Sequence, residues 1–135
     1  MILVDTSVLI DFFRGLTNTP VDSFRRVLTQ EMPFGITSFI YQELLQGTGS
    51  EKEYRKLKAY LSTQRFYHPH DPVDSYHSAA LIYFKCRKKG ISVRSTIDCL
   101  IAQITLEHNL ILLHNDKDFH AISSVVPLRL WDNQG

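Results

Sequence analysis

Apolar residues along this chain alternate between short unbroken runs and longer stretches in which they recur every three or four positions. The unbroken runs Ile2-Leu3-Val4 and Leu110-Ile111-Leu112-Leu113 have the length and content of strands covered on both faces, as parallel strands are. Residues 33–36, Arg65-Phe66-Tyr67 and residues 128–131 are shorter strand candidates. The stretches between them carry helical spacing and helix punctuation. Thr6 or Ser7 can cap a helix that runs through Phe13 and stops at Gly15, and the polar turn Thr17-Asn18-Thr19-Pro20 opens a second helix over residues 20–30. Thr37 or Ser38 caps a third, which carries Glu43 and stops near Gly47 and Gly49. Residues 50–64 predict a charged, amphipathic helix with an apolar stripe of Tyr54, Leu57, Tyr60 and Leu61. The turn-rich link His68-Pro69-His70-Asp71-Pro72 leads into a helix over residues 73–88, and a basic loop fills 89–95. Thr96 caps a helix over 97–108 that Asn109 closes, and a short helix around 118–122 precedes the last strand.

Strands and helices that alternate in this way imply a three-layer α/β/α architecture around a central parallel sheet. Parallel neighbours need long crossover connections, and these are nearly always right-handed. With 135 residues, 44% hydrophobic and 21% charged, the chain has the size and core content of one domain, residues 1–135, and shows no internal repeat. The net charge of +1 gives no molecule-wide attraction to nucleic acid, so any such affinity has to come from a local patch. The first residues enter an apolar strand with no basic leader and no run long enough to span a membrane, which predicts a cytoplasmic protein. Thiols stay reduced there, and Cys86 and Cys99, lying in helical stretches without a paired spacing, read as buried thiols.

Against this background four acids stand out: Asp5, Glu43, Asp98 and Asp116. Asp5 directly follows the first apolar run, Asp116 closely follows the run ending at Leu113, Asp98 lies in the first turn of its helix, and Glu43 falls on the interior side of its own. In an open parallel sheet ligands bind beyond the carboxyl ends of the strands, near the point where strand order reverses. Four such acids would meet in that crevice. Most of them also have a structural reading: Asp5 suits a helix N-cap, Asp98 the positive end of a helix dipole, and Asp116 with Asp118 a polar turn. An interior Glu43 is harder to explain that way, because a buried charge is costly unless paired. A cluster of like charges raises the pKa of each member, and a divalent cation is the usual remedy. All the donors are hard oxygens, which select Mg²⁺ or Mn²⁺.

Four stretches together, Ile2-Leu3-Val4-Asp5-Thr6-Ser7-Val8-Leu9-Ile10, the helix with Glu43, Thr96-Ile97-Asp98-Cys99-Leu100-Ile101-Ala102 and Leu112-Leu113-His114-Asn115-Asp116-Lys117-Asp118-Phe119, resemble the PIN-domain nucleases. Among these they look most like VapC-type toxin ribonucleases, over essentially the whole chain. The resemblance implies a PIN-like fold with a sheet of about five parallel strands. It further implies a Mg²⁺- or Mn²⁺-dependent endoribonuclease that cuts structured RNA such as tRNA and leaves a 5′-phosphate, a cognate VapB-like antitoxin that blocks the site, and a homodimer. By position it assigns Asp5, Glu43, Asp98 and Asp116 as catalytic acids, with Asp5, Asp98 and Asp116 as metal ligands and Glu43 orienting a water or holding a second ion. Asp118 would be an outer contributor, Thr6 or Ser7 would bring a hydroxyl to the site, and Asn115 would orient the phosphate.

Other features are less specific. Lys85, Arg87, Lys88, Lys89 and Arg94 form the one marked basic cluster. Lys88, Lys89 and Arg94, with Arg14, are candidates for RNA phosphates, and the alternative is a set of solvated cations at a helix end. The six histidines lack a thiolate set or a recognised ligand spacing, which disfavours zinc. Leu9, Phe12 and Phe13, with the stripe from Tyr54 to Leu61, offer a groove for an antitoxin or a second copy unless the core absorbs them. Two other functions compete. A phosphatase or phosphotransferase commonly needs a second Asp two residues after a strand-end Asp, where this chain has Ser7. A non-catalytic binding module would retain the fold without the metal, yet all four acids are present.

Overall fold

The computed structural model describes residues 1–132, so the end of the domain expected at residue 135 lies outside the described residues. The two apolar runs form the central strands β1 (Ile2–Val4) and β4 (Ile111–Leu113), and β2 (Phe34–Ile36) and β3 (Arg65–Phe66) complete a parallel sheet in the order β3-β2-β1-β4. The register pairs Ile2 with Ile111 and Val4 with Leu113 on one side of β1, and Leu3 with Gly35 on the other. The fifth strand expected over 128–131 is reduced to a single parallel bridge between Leu112 and Leu130. Arg129 accepts the Leu112 N–H at 2.9 Å and Leu112 accepts the Trp131 N–H at 2.8 Å, while Pro127 just before has no N–H to extend the ladder.

Seven helices connect the strands among the described residues: α1 (Thr6–Phe13), α2 (Thr19–Thr29), α3 (Ser38–Gln46), α4 (Glu51–Leu61), α5 (Asp74–Lys88), α6 (Thr96–Glu107) and α7 (Lys117–Ser123). From β1 the chain steps outward through β2 to β3, then returns across the sheet to place β4 on the opposite side of β1. Right-handed crossovers running in opposite directions put their helices on opposite faces, so α1 to α4 cover one face and α5 to α7 the other. The gap between β1 and β4 is therefore the switch point of the sheet.

The caps settle one choice and correct one reading. Of the residues that could cap α1, Asp5 does so in place of Thr6 or Ser7, and Ser95, and not Thr96, caps α6. In both cases the side chain one residue earlier has the extended backbone that a capping oxygen needs. Elsewhere Thr37 caps α3 and Ser50 caps α4. The core is dry and continuous, with Leu3, Val4, Ile36, Leu112 and Leu113 fully buried. Leu9 and Leu61 are also fully buried, so core packing claims them and removes them from any partner groove. Cys86 and Cys99 are free, buried thiols, and burial pushes the Cys99 thiol up to about 12.

Gly35 is the one residue of the sheet where the chain tolerates no side chain. A Cβ there would overlap the edge of the Tyr67 ring at Cε2 and Cδ2 and stand 2.9 Å from the Arg65 carbonyl of the paired strand, and a backbone carbonyl cannot move aside without breaking the ladder. We expect Gly35→Ala to cost about 1–3 kcal/mol, read as a lowered midpoint in urea unfolding; an unchanged midpoint would show that β2 and β3 can separate freely.

Candidate active site

The switch point opens into a crevice of about 390 Å³ lined by Asp5, Thr6, Ser7, Ile10, Glu43, Arg94, Ser95, Asp98, Ile101, Asp116 and Asp118. The acids reach it from four places in the fold: the end of β1, the body of α3, the first turn of α6 and the turn into α7. Asp5 leaves β1 with its N–H on the Leu113 carbonyl at 2.9 Å, which carries the β1–β4 pairing one residue past the strand and fixes the turn into α1. Its carboxylate then accepts the Ser7 N–H at 3.0 Å and the Ser7 hydroxyl at 2.7 Å. Ser7 Oγ in turn accepts the Asn115 N–H at 2.9 Å, so the exit of β4 orients the Asp5 carboxylate through one hydroxyl. Thr6 Oγ1 donates to Glu43 Oε1 at 2.9 Å, which holds the α3 acid against the start of α1.

Two more acids come from the turn after β4. Asp116 caps α7 by accepting the Asp118 N–H at 3.0 Å, and its own N–H donates to His114 Nδ1 at 3.1 Å. Burial and the neighbouring His120 push the His114 imidazole down to about 4, so this ring is neutral, with Nδ1 as the acceptor and its proton on Nε2. Asp118 is almost fully buried and accepts both the backbone N–H of Arg94 at 3.1 Å and its Nε at 3.2 Å. The same guanidinium reaches Asp116 Oδ1 through Nη2 at 3.1 Å. Asp98 faces these two from the first turn of α6, one turn after the Ser95 cap.

Burial, reinforced by the crowding of like charge, sets the electrostatics. Oxygens of Asp98, Asp116 and Asp118 lie within 4.8 Å of one another. Burial, and then the charges of Asp116, Asp5, Asp118 and Glu43, push the Asp98 carboxyl up to about 7. Asp5 is raised as well, mainly by burial, with the Ser7 bonds pulling the other way. Three hard-oxygen donors at this spacing, one of them protonated near neutrality for want of a counter-charge, match what an oxygen-coordinated divalent cation requires.

All four acids expected to be catalytic, with Thr6, Ser7 and Asp118, line the crevice. Asp118, expected as an outer contributor, belongs to the convergent trio, and Asp5, expected as a metal ligand, lies beside it. Asn115 does not line the crevice: its amide donates to Asp11 at 3.3 Å and its backbone serves Ser7. Arg94 is drawn into the acids instead of standing free for RNA. Lys88 and Lys89, at the exposed end of α5, are not in the crevice, and Arg14 lines a neighbouring groove. Sequence reasoning missed the walls Ile10 and Ile101 and the capping Ser95. The Ser-x-x-Asp spacing from Ser95 to Asp98 is a helix-start signature that could have found the last.

The PIN domain family matches residues 2–125. Ribonuclease VapC11 of Mycobacterium tuberculosis is 31% identical over 130 residues, which are 96% of each chain. Two solved structures share the fold. VapBC2 from Rickettsia felis, bound to a DNA fragment from their promoter, has a TM-score of 0.72 at 16% identity over 98% of this chain and 100% of that one. A toxin–antitoxin complex from Klebsiella pneumoniae has 0.69 at 22% over 96% and 99%.

The raised Asp98 carboxyl makes stability depend on pH. Its folded pKa of about 7 lies above the ordinary 3.8, so the folded chain binds the extra proton between those values and this group's contribution to stability falls as pH rises through them. His114, depressed to about 4, has the opposite slope, so the comparison with Asp98→Asn isolates the acid. In chelator, we expect Asp98→Asn to melt above the wild type at about pH 8, with the difference shrinking below about pH 7 and gone near pH 4. A difference in melting temperature that ignores pH would refute the crowded-carboxylate account.

Proposed function

The chain belongs to the PIN-domain family, and from that premise we propose that it is a metal-dependent endoribonuclease, the toxin of a toxin–antitoxin pair acting in the cytoplasm. One observation carries the reading: five carboxylates, from the end of β1, the body of α3, the first turn of α6 and the turn into α7, converge on the switch point of a parallel sheet. Such a cluster is costly as a structural device, since each acid raises its neighbours, and it becomes favourable when it holds a cation beside a phosphodiester. The identity of Ribonuclease VapC11 with this chain over nearly its full length supports RNA as the substrate, and the toxin–antitoxin complex of the same fold supports the partner class.

Asp98, Asp116 and Asp118 would hold the ion, Mg²⁺ or Mn²⁺, with Asp5 alongside. When bound, such an ion acidifies water and offsets charge on the phosphate. The rest of the work falls to the chain itself. Glu43, kept on one oxygen by the Thr6 hydroxyl, has its other oxygen available to take a proton from the attacking water. The Asn115–Ser7–Asp5 relay holds Asp5 in one orientation, and a positioned group loses less of its effect to reorganisation. Ile10 and Ile101 give the crevice apolar walls, which strengthen the charge interactions inside. Lys88, Lys89 and Arg14 would meet RNA phosphates further from the scissile bond, with structured RNA such as tRNA as the target.

A second concavity of about 820 Å³ continues from this crevice, sharing Ile10 and Glu43 and lined by Phe12, Phe13, Leu44, Leu57 and Tyr60. An amphipathic antitoxin segment seated there would reach the acids directly, which fits a partner that blocks the site. The functional unit in this reading is a homodimer.

The test is cleavage of total cellular RNA by purified protein with Mg²⁺, with Mn²⁺ and with chelator. We expect discrete fragments bearing 5′-phosphates only when metal is present, and a loss of at least about 100-fold in Asp5→Asn with the fold, read as a cooperative melting transition, retained. Equal cleavage in chelator, or by Asp5→Asn, would overturn the proposal.

A further inference from the structure

Five carboxylates and one cation line the crevice, and the cation, Arg94, is bound to the very acids that a metal ion would need. Its Nη2 donates to Asp116 Oδ1 at 3.1 Å and its Nε to Asp118 Oδ2 at 3.2 Å. Those two residues, with Asp98, are the convergent trio. The attachment has an unequal build. The Arg94 backbone N–H also sits on Asp118 at 3.1 Å, so the base of the residue is anchored in the fold, whereas the side chain is 66% exposed and nothing encloses the guanidinium. A group tied at its backbone and open at its tip can leave the carboxylates without unfolding its surroundings.

We propose that Arg94 is a tethered counter-cation that competes with the metal ion for Asp116 and Asp118, so that metal loading releases its guanidinium. A guanidinium and a divalent ion held on the same two carboxylates repel each other, because both are positive and the repulsion is largest where the crevice is least hydrated. The two cations are therefore linked: each weakens the other's hold on the acids. In the metal-free protein Arg94 offsets part of the charge that would otherwise push the trio apart. Once released, it stands at the mouth of the crevice with its two-pronged donor set free for a phosphate oxygen pair. Arg94 is thus a positioning residue that sets metal affinity, and the phosphate contact rests on the ribonuclease reading while the competition does not.

The two possible roles of Arg94 have opposite signs, which makes the test direct. If Arg94 merely props up Asp116 and Asp118, removing it loosens the trio and weakens metal binding. If it competes, removing it tightens binding. We expect calorimetric titration of Mn²⁺ into Arg94→Gln to give a dissociation constant about five-fold or more below that of the wild type, with Arg94→Lys between the two and Asp116→Asn above both. The Arg94→Gln protein should melt lower than wild type in chelator and recover when Mn²⁺ is added. A second measurement needs no substitution: in the wild type, the Arg94 Nε–H resonance should move toward that of a solvent-exposed arginine as Mg²⁺ saturates the site. Weaker Mn²⁺ binding by Arg94→Gln, or an Arg94 resonance indifferent to Mg²⁺, would overturn the competition, whether or not the protein cleaves RNA.

Discussion

Like charges brought together at the end of a parallel sheet are the constraint around which this molecule is organised. Burial, with Asp116, Asp5, Asp118 and Glu43 around it, keeps the proton on Asp98 to about pH 7, and a fold that was only a scaffold would relax away from such an arrangement. The sheet prevents that. β1 and β4 are paired in register through Val4 and Leu113, and the bond from the Asp5 N–H to the Leu113 carbonyl extends the pairing to the first acid. Since Leu3, Val4, Leu112 and Leu113 are fully buried, moving either strand would expose the centre of the core.

Around the acids, the protein spends its polar groups on holding carboxylates still. Ser7, Thr6, Arg94 and two helix starts each contribute bonds to an acid. Asp5 and Asp116 are both helix caps, so the positive end of a helix faces each of them and moderates the charge without neutralising it. His114 is buried and neutral, and it fixes the Asp116 backbone while adding no charge. The polar shell therefore orients the acids and leaves the cluster short of positive charge, which is the condition under which a bound cation stabilises the fold as well as serving chemistry.

The crevice and the apolar groove beside it share Ile10 and Glu43, so the two are continuous. α1 contributes to both, with Asp5, Thr6 and Ser7 facing the acids at its start and Phe12 and Phe13 facing the groove at its end. A segment lying in the groove would press on the helix that positions Glu43 and the Asp5 relay, so a partner need not fill the crevice to affect it.

How much of this was readable from the residues depends on the range of the interaction that decides each feature. The parallel sheet, the alternation of helices and the four principal acids followed from local pattern, because unbroken apolar runs, helical spacing and acids at element ends are properties of short segments. The boundary differences were also local: Asp5 won the α1 cap over Thr6 and Ser7, Ser95 took the cap that Thr96 was expected to hold, and Pro127 precedes a fifth strand of one bridge. Which acids converge was a different matter. Asp118 enters the trio, Asn115 turns to Asp11, and the exposed Arg94 bends its guanidinium onto Asp116 and Asp118. The sequence by itself determined which residues stand at the ends of which elements. Only the tertiary structure decided which of those ends meet, because the meeting depends on strand order and on bonds between residues far apart in the chain, such as Thr6 with Glu43 and Ser7 with Asn115.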